Sequence, residues 1–238
     1  MANTITITGP TFTNKVGVAM PAIPGLLSMA YFGTGYDNNN GNRVAGGPAF
    51  ATLGGTPIYQ SNCVTLGNIS AVNTAIDTQN PRLAPLIASG WSWAAVARCT
   101  STTGTGAAFL SDAAFTVALN PTSKVMTLYY GGAKATYTAT SSAQSFRFIA
   151  LTYSGTALGT ILVYDFTDAI TPVSYTAVSN VNPNSANSLH FGVTTEGFAN
   201  GQTDIAFGMV ASGVLTQTAL GNIYASVKTS IARRGITI

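Results

Sequence analysis

The chain has 238 residues, 46% of them hydrophobic and only 7% charged, with ten Lys plus Arg against seven Asp plus Glu, one His and two Cys. That length and apolar content suffice for a buried core and exclude an intrinsically disordered chain. The formal charge of +3 comes from scarce acids rather than abundant bases, and the cations are scattered from Lys15 to Arg234. No nucleic-acid patch is read in them.

The chain opens Met-Ala-Asn-Thr-Ile-Thr-Ile-Thr, where Ile5 and Ile7 alternate with threonines before Gly9-Pro10. This predicts a strand with a threonine face, at a sheet edge or between subunits, and lacks the basic and apolar regions of a secretory signal. The uncharged stretch from Val16 to Tyr36 is broken by Pro21, Pro24 and several glycines, so membrane insertion is not expected. Residues 1–25 read as an N-terminal arm and residues 26–238 as one domain. The 4–8 strand and the apolar Val16–Phe32 segment are the expected assembly contacts.

The next segment, Gly33 to Gly47, carries Tyr36, Asp37, Asn39, Asn40 and Arg43 among glycines. Amides, a carboxylate and a tyrosine ring on one polar loop suit sugar hydroxyls and sugar faces, and these five residues are the candidate ligand-binding set. The alternative is a solvated turn region. Trp91 and Trp93 share one face of the following strand with Ala95, Ala97 and Cys99, as core or as a glycan platform.

Alternation then marks Phe115–Leu119, a turn at Asn120–Ser123, Val125–Tyr130, the Gly131-Gly132 hairpin and Lys134–Thr140, a three-strand meander. Further strands are predicted at 146–153, 160–165, 173–178, 189–193 and 203–210, with Asn200-Gly201 as a turn. One helix follows, capped by Thr216, with Leu220, Ile223, Tyr224, Val227 and Ile231 on one face and Gly235 as its stop. The fold class is all-β, a two-sheet antiparallel sandwich closed by a C-terminal helix.

Enzymatic motifs are missing. No two carboxylates cluster as a glycosidase pair, no G-x-S-x-G elbow exposes a serine, and the only histidine, His190, alternates along a strand as a structural residue. Cys63 and Cys99 read as buried free thiols. Zinc is not expected, because one His and two separated Cys cannot fill a tetrahedral site, and for calcium Asp37, Asp165 and Asp168 are weak candidates with Asp112 beside them.

The ordered segments Trp91–Arg98, Phe146–Gly155, Leu162–Asp165, Leu189–Gly192, Gly201–Ala206, Leu215-Thr216 and Ile223-Tyr224 together resemble the laminin-G-like, concanavalin A-like jelly roll, over roughly residues 85–225. Val96 and Phe146 stand where that family usually has tryptophan, and Phe166 where it has glycine, so no calcium ligands are carried over. The small-residue-rich style and the ending Ile231–Ile238 resemble laminin-G-like proteins of bacteriophage virions. That resemblance implies a non-enzymatic structural protein of a tail, baseplate, fibre or capsid surface, located in the virion and attaching to host-surface polysaccharide. Its expected partners are further copies of itself and other virion proteins. The alternatives are a purely architectural capsid decoration without a glycan ligand, a polysaccharide-degrading enzyme, or a bacterial adhesin or lectin with no virus involved.

Overall fold

A computed structural model describes residues 20–34, 41–81, 90–102, 106–112, 115–130, 133–155, 159–169, 171–176, 188–192 and 201–238. The predicted 4–8 strand and the loop residues Tyr36, Asp37, Asn39 and Asn40 lie outside them. Among the described residues fifteen strands and one helix are formed: β1 (Leu26–Tyr31), β2 (Ala51–Gly54), β3 (Ile58–Tyr59), β4 (Val64–Ile69), β5 (Val72–Pro81), β6 (Trp91–Cys99), β7 (Ala107–Ser111), β8 (Phe115–Leu119), β9 (Val125–Tyr130), β10 (Ala133–Thr138), β11 (Arg147–Tyr153), β12 (Thr160–Asp165), β13 (Val173–Thr176), β14 (Ser188–Gly192), β15 (Gln202–Ser212) and α1 (Gln217–Ala232).

All the strand pairings are antiparallel and run in one path, β10-β9-β8-β7-β14-β5-β4-β15-β6-β11-β12-β13, with β1 on β15, β2 on β5 and β3 on β4. The β4–β5 hairpin is the fold line. On one side of it lies a first sheet, β10 to β5, and on the other a second, β4 to β13. Their facing surfaces share one core, in which Ile76, Phe109, Leu128 and Phe191 of the first sheet meet Trp93, Ile149, Ile161 and Val210 of the second. The architecture is a two-sheet jelly-roll sandwich with one C-terminal helix.

The second sheet is covered twice. Leu220, Ile223, Val227 and Ile231 of α1 pack on its outer face against Ala94, Val96, Phe148, Ala150, Phe207 and Met209. Burial of such side chains is worth roughly 1.5–3 kcal/mol each. Strand β11 is consequently buried at all seven positions, and β6 at all but Arg98. On β6 the two faces separate as the alternation requires: Trp91, Trp93, Ala95, Ala97 and Cys99 face the first sheet, Ala94 and Val96 the helix. Both tryptophans belong to the core, at 1% and 0% exposure, with ring centroids 6.1 Å apart. They are no glycan platform.

The helix starts where the sequence places it, Thr216 Oγ accepting from the Ala219 amide at 3.1 Å. It ends at Ala232 with Arg233 as its C-cap, and the chain turns at Gly235 (φ +76°), after which Ile236 and Ile238 return to the helix-side core. It is too short to cross a bilayer, and among the described residues no other helix is long and apolar enough. Part of the apolar segment expected as an assembly contact is domain structure instead: Leu26–Tyr31 is β1, paired along β15 of the same chain. Cys63 and Cys99 are both buried and free. They occupy opposite faces of the second sheet, Cys99 toward the first sheet and Cys63 toward the helix, which puts a disulfide out of reach.

Inter-sheet packing is tight enough to demand a glycine. A Cβ built on Gly208 of β15 would meet Phe191 ring atoms of the opposing sheet at 2.4, 2.6 and 2.8 Å. Gly208→Ala is therefore expected to cost about 1–3 kcal/mol by overpacking, read as a lower urea midpoint at unchanged slope. An unaltered midpoint would mean that Phe191 has room to move.

Candidate functional site

The loop at 33–47 leaves the fold just beyond β1, where Gly33 lies beside Arg234 at the end of α1, and its return runs back along β1 through Asn42 and Arg43. Its outgoing leg is fixed by Thr34, whose amide donates to Gln60 O at 2.6 Å. Gly33 (φ +134°) is needed there, because a Cβ would lie 2.8 Å from Ser61 O and 2.9 Å from the Arg234 guanidinium. The returning leg is held by Asn42. Its Oδ1 accepts from the Met29 and Val44 amides at 3.1 and 3.0 Å, and its Nδ2 donates to Leu27 O and Pro48 O, both at 3.0 Å. One asparagine thus satisfies backbone groups of β1 and of both sides of the loop's return. Sequence reasoning did not single it out, since an asparagine among several in a polar loop carries no mark of its far-off partners.

Arg43, the one predicted ligand residue within the described structure, follows Asn42. Its amide donates to Met29 O at 2.8 Å, and its guanidinium carbon lies 5.3 Å from the Tyr31 ring centroid. Arg234 approaches the same ring at 5.9 Å while donating to the carbonyl oxygens of Phe32 and Ala206. Tyr31 itself is buried, at 6% exposure, so its ring orders the two guanidiniums and offers no stacking face to a sugar. Next along this end, Arg98 Nε and Nη2 reach Asp204 Oδ2 at 2.9 and 2.8 Å, and Thr65 Oγ donates to Asp204 Oδ1 at 2.6 Å. Arg98 also lies 4.4 Å above the Phe146 ring centroid. Burial pushes the nearby Cys63 thiol up to about 12, Asp204 adding to the effect and Arg98 and Arg234 opposing it. That thiol is inert as a nucleophile at neutral pH.

The calcium candidates Asp165 and Asp168 are engaged elsewhere. Arg147, fully buried, places Nη1 2.8 Å from Asp165 Oδ2 and 3.3 Å from Asp168 Oδ2. Tyr137 donates to Asp165 at 2.9 Å, and the Thr140 amide donates to Asp168 at 2.8 Å. Burial raises the Asp165 carboxyl pKa, Arg147 and Tyr137 resisting. For Asp168 burial also acts upward, but hydrogen bonds from Ser141 and Thr140, with Arg147, bring it below the usual range. The network ties β10 of the first sheet to β11 and β12 of the second and reads as a structural clasp. Among the described residues no three His, Cys, Asp or Glu side chains gather as a metal site.

His190 sits on the outer face of the first sheet in a buried polar row with Asp77, Ser111 and Thr116, on neighbouring strands. Its Nε2 is 3.8 Å from Asp77 Oδ1 and 3.4 Å from Ser188 Oγ, while Nδ1 has no hydrogen-bond partner among the described residues. A catalytic relay needs its acid and its nucleophile on opposite ring nitrogens. Here both neighbours stand on one.

No family model and no curated protein sequence matches the chain. Solved structures do. The binding domain of botulinum neurotoxin DC in complex with rat synaptotagmin II aligns with a TM-score of 0.60 at 10% identity, over 85% of this chain and 52% of that one. This chain thus spans about half the length of that binding domain. Domain 4 of AbnA, an extracellular arabinanase from Geobacillus stearothermophilus, in complex with arabinotriose, aligns with a TM-score of 0.55 at 15% identity, over 83% of this chain and 97% of that domain. Trypanosoma rangeli sialidase in complex with sialic acid aligns at 0.58 and 9% identity, over 87% of this chain and 35% of that chain. The shared property is the fold.

Burial lowers the pKa of His190, with Asp77 pulling the other way. The unfolded chain therefore takes up the proton more readily than the native one, and stability present above the ordinary histidine value of about 6.5 is lost as pH falls below it. The thermal midpoint is expected to fall between about pH 7.5 and about pH 5.5, and to fall less in His190→Gln. Equal losses in both proteins would contradict the assignment.

Proposed function

We propose that the protein is a non-enzymatic glycan-binding module of a bacteriophage particle, which attaches to host-surface polysaccharide through the loop end of its sandwich. The observation that carries this reading is the anchored loop. Both of its legs are fixed to a rigid sheet, by Thr34 on Gln60 and by the Asn42 clamp on β1, the arrangement in which a scaffold presents a binding loop. Tyr36, Asp37, Asn39, Asn40 and Arg43 are the residues assigned to the ligand.

Three further points support it. Domain 4 of the arabinanase, which this chain matches over nearly its whole length, is described in complex with arabinotriose. The described carboxylates, Asp77, Asp112, Asp165, Asp168 and Asp204, all have buried side chains, whereas hydrolysis of a glycosidic bond needs two that flank a substrate. A charge-poor surface and the virion-protein resemblance fit a particle component, where repeated copies would turn a weak sugar site into an avid one.

The test is binding of the purified protein to a panel of bacterial surface polysaccharides, with and without EDTA. Saturable binding is expected, weakened about fivefold or more in Asn42→Ala, which removes the clamp from the loop's return leg. EDTA-sensitive binding would assign a calcium ion to the site. No binding to any panel member would contradict the reading in favour of the architectural role, and turnover of a polysaccharide would contradict its non-enzymatic part.

A further inference from the structure

Four large apolar side chains stand exposed among the described residues, and two of them are consecutive: Ile58 at 50% and Tyr59 at 36%. Together they make up the whole of β3, a two-residue strand laid along Thr65 and Val64 of β4. Edge strands are normally guarded by charged or polar side chains, and apolar groups left together within a polar rim mark a ligand or interaction site. The rim here is polar, since Gln60 and Ser61 follow directly and are exposed, as is Thr34.

Tyr59 differs from the other rings. Among the described side chains it is the one exposed aromatic, all others being buried or half-buried. Partial burial raises its phenol pKa, with no charge and no hydrogen bond contributing, and neither ring nor hydroxyl is engaged by a described neighbour. Its place is nevertheless fixed. Thr34 donates to Gln60 O through its amide at 2.6 Å and through its hydroxyl at 3.2 Å. The Gln60 amide donates to Cys63 O at 2.9 Å, and Gln60 Nε2 donates to Thr65 Oγ at 2.8 Å. Strand β4 behind it is buried from Val64 to Gly67. A free ring is thus held one residue from the point where the outgoing leg of the 33–47 loop is tied down.

We infer that Tyr59 is the stacking platform of the glycan site, on which a hexopyranose unit of the polysaccharide lays an unbroken C–H face. The inference rests on the glycan-binding reading above and adds to it a residue outside the loop. The face of an aromatic ring is negative and attracts the polarised C–H groups of a sugar, while hydroxyls at the sugar's edge find partners in Thr34, Ser61 and the phenol itself. A tyrosine also presents a large rigid area at little cost in side-chain entropy. A protein partner fits less well, because a two-residue strand among polar neighbours supplies little of the roughly 800 Å² per side that a stable interface buries.

The experiment measures binding of the full chain to the panel of bacterial surface polysaccharides, with dextran and galactan added, for the wild type, Tyr59→Ala, Tyr59→Leu, Tyr59→Phe and Asn42→Ala. Tyr59→Ala and Tyr59→Leu are each expected to weaken binding about tenfold, and Tyr59→Phe, which keeps the ring, by no more than about threefold. Wild-type affinity in Tyr59→Ala, with Asn42→Ala weakened, would overturn this inference and leave glycan binding standing. Wild-type affinity in Tyr59→Leu would show that apolar bulk suffices and would overturn the stacking role. Unaltered glycan affinity with lost self-association in sedimentation would assign the patch to a second copy and overturn it as well. No binding of the wild type to any glycan would overturn both readings. The thermal midpoint is expected to stay unchanged in all three Tyr59 variants, and if the alanine variant is destabilised the leucine and phenylalanine pair decides.

Discussion

A sheet covered on both faces has nowhere to put an unpaired charge, and that constraint shapes the rest of this molecule. The second sheet packs on the first sheet through Trp91, Trp93 and Val210, and on the helix through Val96, Phe148 and Phe207. A charge in such a layer must be paired and hydrogen-bonded, because desolvation alone costs several kcal/mol per ion. Arg147 meets the condition by holding Asp165 and Asp168 and by donating to Ser141 and the Ser142 carbonyl. Asp204 meets it through Arg98 and Thr65. These pairs connect strands distant in sequence, and Tyr137 brings the far edge of the first sheet into the same clasp.

The constraint has an outward consequence. The described carboxylates are withdrawn from solvent, and at the loop end threonine, glutamine and serine side chains stand exposed instead. The loop end is where this matters most. Its two legs are bolted by backbone hydrogen bonds and by Asn42, and three of its neighbouring guanidiniums are oriented by aromatic rings, Arg43 and Arg234 by Tyr31 and Arg98 by Phe146. This anchored end, with Thr34, Gln60 and Ser61 exposed, differs in kind from the buried polar row around His190, which is closed to solvent and serves packing.

Much of the sandwich was legible because its strands carry strong local signals. The meander β8–β9–β10 showed in its alternation and in the Asn120–Ser123 turn, the predicted Gly131-Gly132 hairpin lying outside the described residues, β12 was bounded at Thr160 and Asp165, and α1 announced itself by Thr216, its apolar face and Gly235. Strands β1 to β5 and β7 carried weaker marks. The β4–β5 hairpin turns through Ser70 and Ala71 at φ +51° and +65°, a geometry that Asn-Gly normally advertises and Ser-Ala does not. Strand β7, Ala-Ala-Phe-Leu-Ser, has a bulge that disturbs its alternation. The site was less legible than the fold. Arg43 was singled out as a loop residue, but its company of Tyr31 and Arg234 comes from two other stretches of chain. Asp165 and Asp168 could suggest oxygen ligands in sequence, and only the fold shows Arg147 between them.

The most direct test of a binding end at the anchored loop is residue-level mapping, by amide chemical-shift perturbation, of an oligosaccharide cut from a surface polysaccharide that the protein binds. The account predicts perturbations confined to the surroundings of Thr34, Arg43, Asn62 and Arg233–Arg234, with none on the first sheet's outer face at Thr127 or Thr136. Perturbations centred on that outer face, or none anywhere at saturating ligand, would contradict it.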